Sequence, residues 1–62
     1  MNMKTIRFRN WKIILNEQTG FYDLYLPEDV EVFSSKDLHK YCSPEMEDIP
    51  TIEEAKQFIR NY

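Results

Sequence analysis

Residues 7–15, RFRNWKIIL, set Arg7, Arg9 and Lys12 between large apolar side chains, and their reading decides how the chain folds. On a strand, side chains alternate between the two faces, so residues of equal parity share a side. Ile6 and Phe8 are even, whereas Trp11, Ile13 and Leu15 are odd. A regular strand cannot send all five into one core. One extra residue near Arg9 and Asn10, a β-bulge, shifts the parity and returns every large apolar group to the inner face. Arg7, Lys12 and Ile14 then point outward, and Trp11 lies opposite the cations. Without the bulge, Arg7, Arg9 and Trp11 line one face, the arrangement of single-strand nucleic-acid binders whose aromatics stack on bases beside a basic track. The bulge is the expected solution, because a chain of 62 residues has little core to spare and needs Trp, Ile and Leu in it.

Outward from this stretch, apolar residues tend to alternate as far as Phe33 and then recur at three and four, the change from strand to helix. Strands are expected at Thr5–Asn16, Phe21–Leu26 and Val30–Phe33. Glu17-Gln18-Thr19-Gly20 holds the single Gly and suits a hairpin loop. Pro27-Glu28-Asp29 suits a type I turn, since Pro presets φ at its second position. Ser34-Ser35-Lys36-Asp37 and Thr51-Ile52-Glu53-Glu54 both carry a hydroxyl cap with an acid three residues on, the signature of a helix start. The first helix runs to about Tyr41, before Ser43-Pro44. The second carries Ile52, Ala55, Phe58, Ile59 and Tyr62 as one stripe, with Lys56 and Arg60 facing outward. The expected fold is a single α+β domain over residues 1–62: a three-stranded antiparallel meander with two C-terminal helices packed on one face, in the order βββαα.

The hydrophobic share of 42% and charged share of 31% place the chain among globular proteins rather than disordered ones. A lone Cys42 forms no internal disulfide, and the longest aliphatic run, Ile13-Ile14-Leu15, is far too short for a signal or membrane span. A cytoplasmic location is expected. Ala and Gly occur once each while Ile, Lys, Asn, Tyr and Phe are plentiful, a usage that suggests an AT-rich genome such as a low-GC bacterium or its phages. The net charge of −3 is unevenly placed: Lys4, Arg7, Arg9 and Lys12 dominate the first third, and Asp23, Glu28, Asp29 and Glu31 follow without a cation. Asp23 and Glu31 are expected to share the outer sheet face with the basic strand, where opposite charges across strands stabilise by about 0.2–1 kcal/mol.

Chemistry-bearing groups are few. His39 and Cys42, with Glu45, Glu47 and Asp48 behind them, offer two residues of the type zinc prefers where three or four must converge. A Cys–His nucleophile pair lacks an evident third group to orient the imidazole. With neither phosphate loop nor paired carboxylates, no catalytic residue, metal or cofactor is expected, and the chain reads as a non-enzymatic module. Aromatics are its excess: Phe21, Tyr25 and Phe33 fall on the outer face or rim of the meander, among Arg and acidic residues, a composition seen at interface centres.

The favoured expectation is a small binding module, an accessory or inhibitor from a phage or mobile element, that holds a host or phage protein through its sheet face. Phe21, Tyr25, Phe33, Arg7 and Lys12 would carry the contact. The alternative is DNA binding by the sheet through Arg7, Arg9, Trp11 and Lys12. Strands followed by a helix opening Thr51-Ile52-Glu53-Glu54-Ala55 are similar to the sheet-reading amino-terminal domains of some phage and transposon integrases. That resemblance implies phosphate and base contacts from Arg7, Arg9 and Lys12; the chain departs from it in its intervening helix and acidic balance. Homodimerisation through an unpaired outer strand is compatible with either function.

Overall fold

The computed structural model describes residues 5–62; Lys4 of the basic segment lies outside them. Four strands, β1 (Thr5–Phe8), β2 (Trp11–Asn16), β3 (Phe21–Tyr25) and β4 (Met46–Ile49), form one antiparallel sheet in sequence order. Helices α1 (Pro27–Val32) and α2 (Ser35–Tyr41) lie between β3 and β4, and α3 (Ile52–Arg60) follows β4. The class is α+β, but the order is βββααβα rather than βββαα.

The parity conflict in residues 6–15 is resolved by a reversal rather than a bulge. Arg9 and Asn10 have φ of 51° and 69°, and Phe8 pairs with Trp11 across them. Two consecutive left-handed residues make the type I′ turn, whose twist matches that of the strands it joins. Ile6 and Phe8 are thereby brought beside Ile13 and Trp11 on one face, while Arg7 and Lys12 pair on the other. The expected single strand Thr5–Asn16 is thus a hairpin.

The second hairpin follows expectation. Asn16 pairs with Phe21; Gly20 has φ 79°, and its N–H donates to the Asn16 carbonyl at 2.8 Å. The Asn16 side chain accepts from the Gln18 N–H at 3.0 Å.

The expected strand Val30–Phe33 is instead the end of α1. Pro27 occupies the first helical turn with Glu28 and Asp29 beside it, where a fixed φ and negative charge both favour helix. The turn expected at Pro27 continues into helix because Val30 finds a buried seat against Ile14, Tyr25 and Leu38. The fourth strand, Met46–Ile49, restores the sheet. Between the pairs Tyr22↔Ile49 and Leu24↔Met46, β3 supplies Asp23 alone while β4 supplies Glu47 and Asp48. A bulge therefore exists in this sheet, on β4, with Asp48 at φ 61°.

Helix α2 begins where Ser34 Oγ accepts from the Asp37 N–H at 3.4 Å, and α3 where Thr51 Oγ1 accepts from the Glu54 N–H at 3.1 Å. Their positions match the reading of the caps, but the helices do not share a face. α3 covers one side of the sheet, closing a core of Trp11, Ile13, Leu24, Ile49, Ala55 and Ile59. α1 and α2 cover the other, over Ile14, Tyr25, Val30 and Leu38. The sheet is the middle of three layers.

A cationic aromatic patch as the candidate binding surface

Covering both sheet faces changes what the predicted contact residues can do. Tyr25, expected on an exposed face, is 2% exposed beneath α1 and α2. Phe33 packs partly against the same cluster, its ring centroid 6.0 Å from that of Tyr41. Lys12 is half-buried, and its Nζ donates to Ser35 Oγ at 2.8 Å. Arg7 is exposed and lines a groove with Asn10, Pro27, Glu28 and Glu31. Acidic neighbours therefore do face the basic strand, from α1. Asp23 is not among them, since it pairs with Ile14 nearer the loop end of β2. Phe21 is 42% exposed opposite Asn16, about 13 Å along β2 from Lys12 by strand rise. Phe21, Tyr25, Phe33, Arg7 and Lys12 do not form one accessible patch.

The residues of the DNA-binding alternative are also separated. Trp11 is 5% exposed, on the face opposite Arg7 and Lys12, with its ring edge-on to Tyr62 at 4.9 Å and to Phe58 at 6.2 Å. No base can stack on it there.

Arg9 goes elsewhere. From the β1–β2 turn its guanidinium carbon lies 5.5 Å from the centroid of Phe8. Lys56 Nζ and the Arg60 guanidinium carbon approach the same ring at 5.4 Å each. Lys56 and Arg60 are one helical turn apart and so lie on one side of α3. Ala55 and Ile59, buried in the core, hold that helix against the sheet and bring its cations over β1. Each cation–ring contact contributes about 0.5–1 kcal/mol at an exposed site. Three like charges around one ring also repel each other, and an arriving anion would relieve that repulsion. Tyr62, 69% exposed, lies edge-on to Trp11 and tilted against Phe58, and extends the aromatic surface beside the cations.

Arg9 stands out energetically as well. Left-handed backbone costs an ordinary L-residue about 1–2 kcal/mol, and type I′ turns favour Asn, Asp and Gly. Asn10 fits that preference and Arg9 does not. Arg9 thus holds a conformation that its residue type disfavours at a surface turn.

A second polar feature lies at the loop end of the sheet. Ile14, Leu15, Asn16, Glu17, Gln18, Asp23 and His39 line a cavity of about 180 Å³. Asp23 is 7% exposed. Burial holds its carboxyl above the ordinary 3.8, and Glu47 and Asp48 push the same way, while Asn16 and His39 pull it back. Cys42 packs against the α1/α2 cluster, and burial, then Asp29, raises its thiol pKa, which disfavours the reactive thiolate. No group of three or more His, Cys, Asp or Glu side chains among the described residues is placed to hold a metal ion. No helix among those residues is long and apolar enough to cross a membrane.

No family model, curated protein or solved structure matches the chain. The likeness to integrase amino-terminal domains therefore rests on the Thr51–Ala55 helix opening alone, in a chain whose strand count differs from the meander that suggested it.

Sequence reasoning flagged Arg9 and placed Lys56 and Arg60 on the outer side of the last helix. It assigned Phe8 to the core and did not bring the four together. The only available signal was the pairing of Phe8 with Trp11, which follows once Arg9 and Asn10 are read as a turn.

Proposed function

We propose that the chain is a non-enzymatic binding module that takes an acidic polypeptide segment on the patch formed by Phe8, Arg9, Lys56 and Arg60. The observation that carries this reading is the convergence of three cations on one half-buried ring, in a chain whose net charge is −3. Such a patch suits a short run of carboxylates beside apolar contact. A long polyanion would meet repulsion from the acidic remainder of the domain. In an AT-rich phage or mobile element, a module of this kind acts as an accessory or inhibitor by occupying a host protein.

DNA binding is the competing reading, supported by the same cations. Capture on immobilised protein from a low-GC bacterial lysate separates the two, with half of the lysate nuclease-treated. The expected result is a polypeptide retained after nuclease treatment and lost when Arg9→Glu, Lys56→Glu and Arg60→Glu are combined in the bait. Recovery abolished by nuclease would overturn the protein reading. Affinity for a defined duplex would then fall with salt at a log–log slope of about −2.7 for three phosphate contacts.

A further inference from the structure

We infer that the acidic segment binds as an added strand along the open edge of β1. The inference rests on the patch reading above and specifies how the patch is used. In a hairpin closed by two residues, the pair flanking the turn exchanges both backbone hydrogen bonds, and bonding alternates from there. Phe8 and Trp11 are that pair, so Ile6 bonds inward to Ile13, while the N–H and C=O of Arg7 and Thr5 point away from β2. β1 is the first strand of the sheet order, so these groups face outward from the sheet, toward no other strand among the described residues.

The two sheet edges differ. β4 is interrupted by its bulge at Glu47 and Asp48 and flanked by Pro44 and Pro50, features that blunt an edge against pairing. β1 has neither a bulge nor a proline. A second copy is a poor occupant, because β1 itself carries no carboxylate to meet the patch, and pairing centred on Arg7 sets like charges directly opposite. An acidic strand is complementary. Side chains that point toward α3 would lie beside Ile6 and Phe8 and meet Arg9, Lys56 and Arg60. Those on the other face would lie beside Arg7, where Glu28 and Glu31 already line the groove. The expected occupant therefore carries carboxylates at alternate positions, on its α3 side, with main-chain bonds supplying the rest of the affinity.

The test uses a labelled, end-capped peptide in which Glu alternates with Val, titrated into the full chain by fluorescence anisotropy. Arg7→Pro removes the outward N–H at a position where no inward bond is lost, and Arg7→Ala controls for the charge. Binding is expected to weaken about tenfold in Arg7→Pro relative to Arg7→Ala. A peptide N-methylated at every second residue, in the frame that faces β1, should lose affinity by at least as much, and it needs no change to the protein. If charge reversal at Arg9 and Lys56 abolishes binding while N-methylation and Arg7→Pro leave it intact, strand addition is overturned and the patch reading survives. If the peptide fails to bind at all, both fall.

Discussion

Phe8 and Trp11 face each other across a turn whose two residues, Arg9 and Asn10, both hold left-handed backbone. That relationship places Phe8 over the α3 core and throws the Arg9 side chain back across the Phe8 ring. The turn therefore joins the fold and the proposed function. Replacing Arg9 by Gly relieves the backbone cost and should stabilise the domain by about 0.5–1 kcal/mol, while removing one of the three cations from the patch. The expected outcome is a higher urea midpoint with unchanged slope and weaker binding of the Glu–Val peptide. A lower midpoint would show that Arg9 contributes more to the fold than its turn conformation costs.

The second core, beneath α1 and α2, predicts equal sensitivity on the two sides of the sheet. Leu24 faces α3 and Leu38 comes from α2, and neither has any exposure. Each Leu→Ala substitution should cost about 2–5 kcal/mol, most of the stability available to a domain of this size. Were helices packed on one face only, Ile14 would point to solvent and Ile14→Ala would be nearly neutral, whereas its burial beneath α1 and α2 predicts a cost of the same order as the Leu substitutions. Denaturation midpoints of the Leu24 and Ile14 variants, measured at low temperature if both are marginal, decide between three layers and two.

Much of this architecture is legible in the chain, and the exceptions have physical causes. Ser34 and Thr51 mark their helices because a hydroxyl beside a first-turn acid answers a local need of the backbone, independent of tertiary context. Gly20 marks its loop for the same reason. Val30–Phe33 alternates like a strand, yet Pro27 and two acids begin a helix there, and tertiary burial of Val30 decides between the periods. Met46–Ile49 is short, carries two acids and buries only Ile49; it is a strand because β3 offers it an edge, which no local pattern records. The patch was half legible. Lys56 and Arg60 are visible as outward cations of the last helix and Arg9 as part of the basic strand, but their meeting at Phe8 depends on where α3 lands on the sheet.

Asp23 should make the domain more stable toward acid than a typical carboxylate-rich chain. Its folded pKa is raised above the ordinary 3.8, first by burial and then by Glu47. Between 3.8 and that raised value the native state holds a proton that the unfolded chain has released, so stability increases as pH falls through this window. The contribution is complete below the unfolded value and is lost as pH rises through the folded one. At neutral pH the ionised carboxylate is a burden on the fold. Asp23→Asn should therefore be the more stable protein at pH 7, with its advantage shrinking as pH falls toward 3.8. Glu47, Asp48 and His39 lie near Asp23 in both proteins, so the comparison is made on the difference between urea midpoints across the series. A difference that does not change with pH would mean that Asp23 is not shifted by the fold.

Trp11 offers the most direct optical check on the separation of the cations from a stacking surface. It is the single Trp and is nearly enclosed by the sheet and α3, with Phe58 and Tyr62 edge-on to it. Its emission should be blue-shifted and weakly quenched by acrylamide in the native protein, and should move to the red on unfolding. Tyr62→Ala removes the more exposed of the two flanking rings and should raise quenching, at a cost of about 1 kcal/mol for the lost aromatic pair. An oligonucleotide that binds through Arg9, Lys56 and Arg60 would leave the indole unstacked, whereas one that stacks on Trp11 must first displace α3. Strong quenching of native Trp11 by single-stranded DNA would contradict both the placement of the indole and the polypeptide reading built on it.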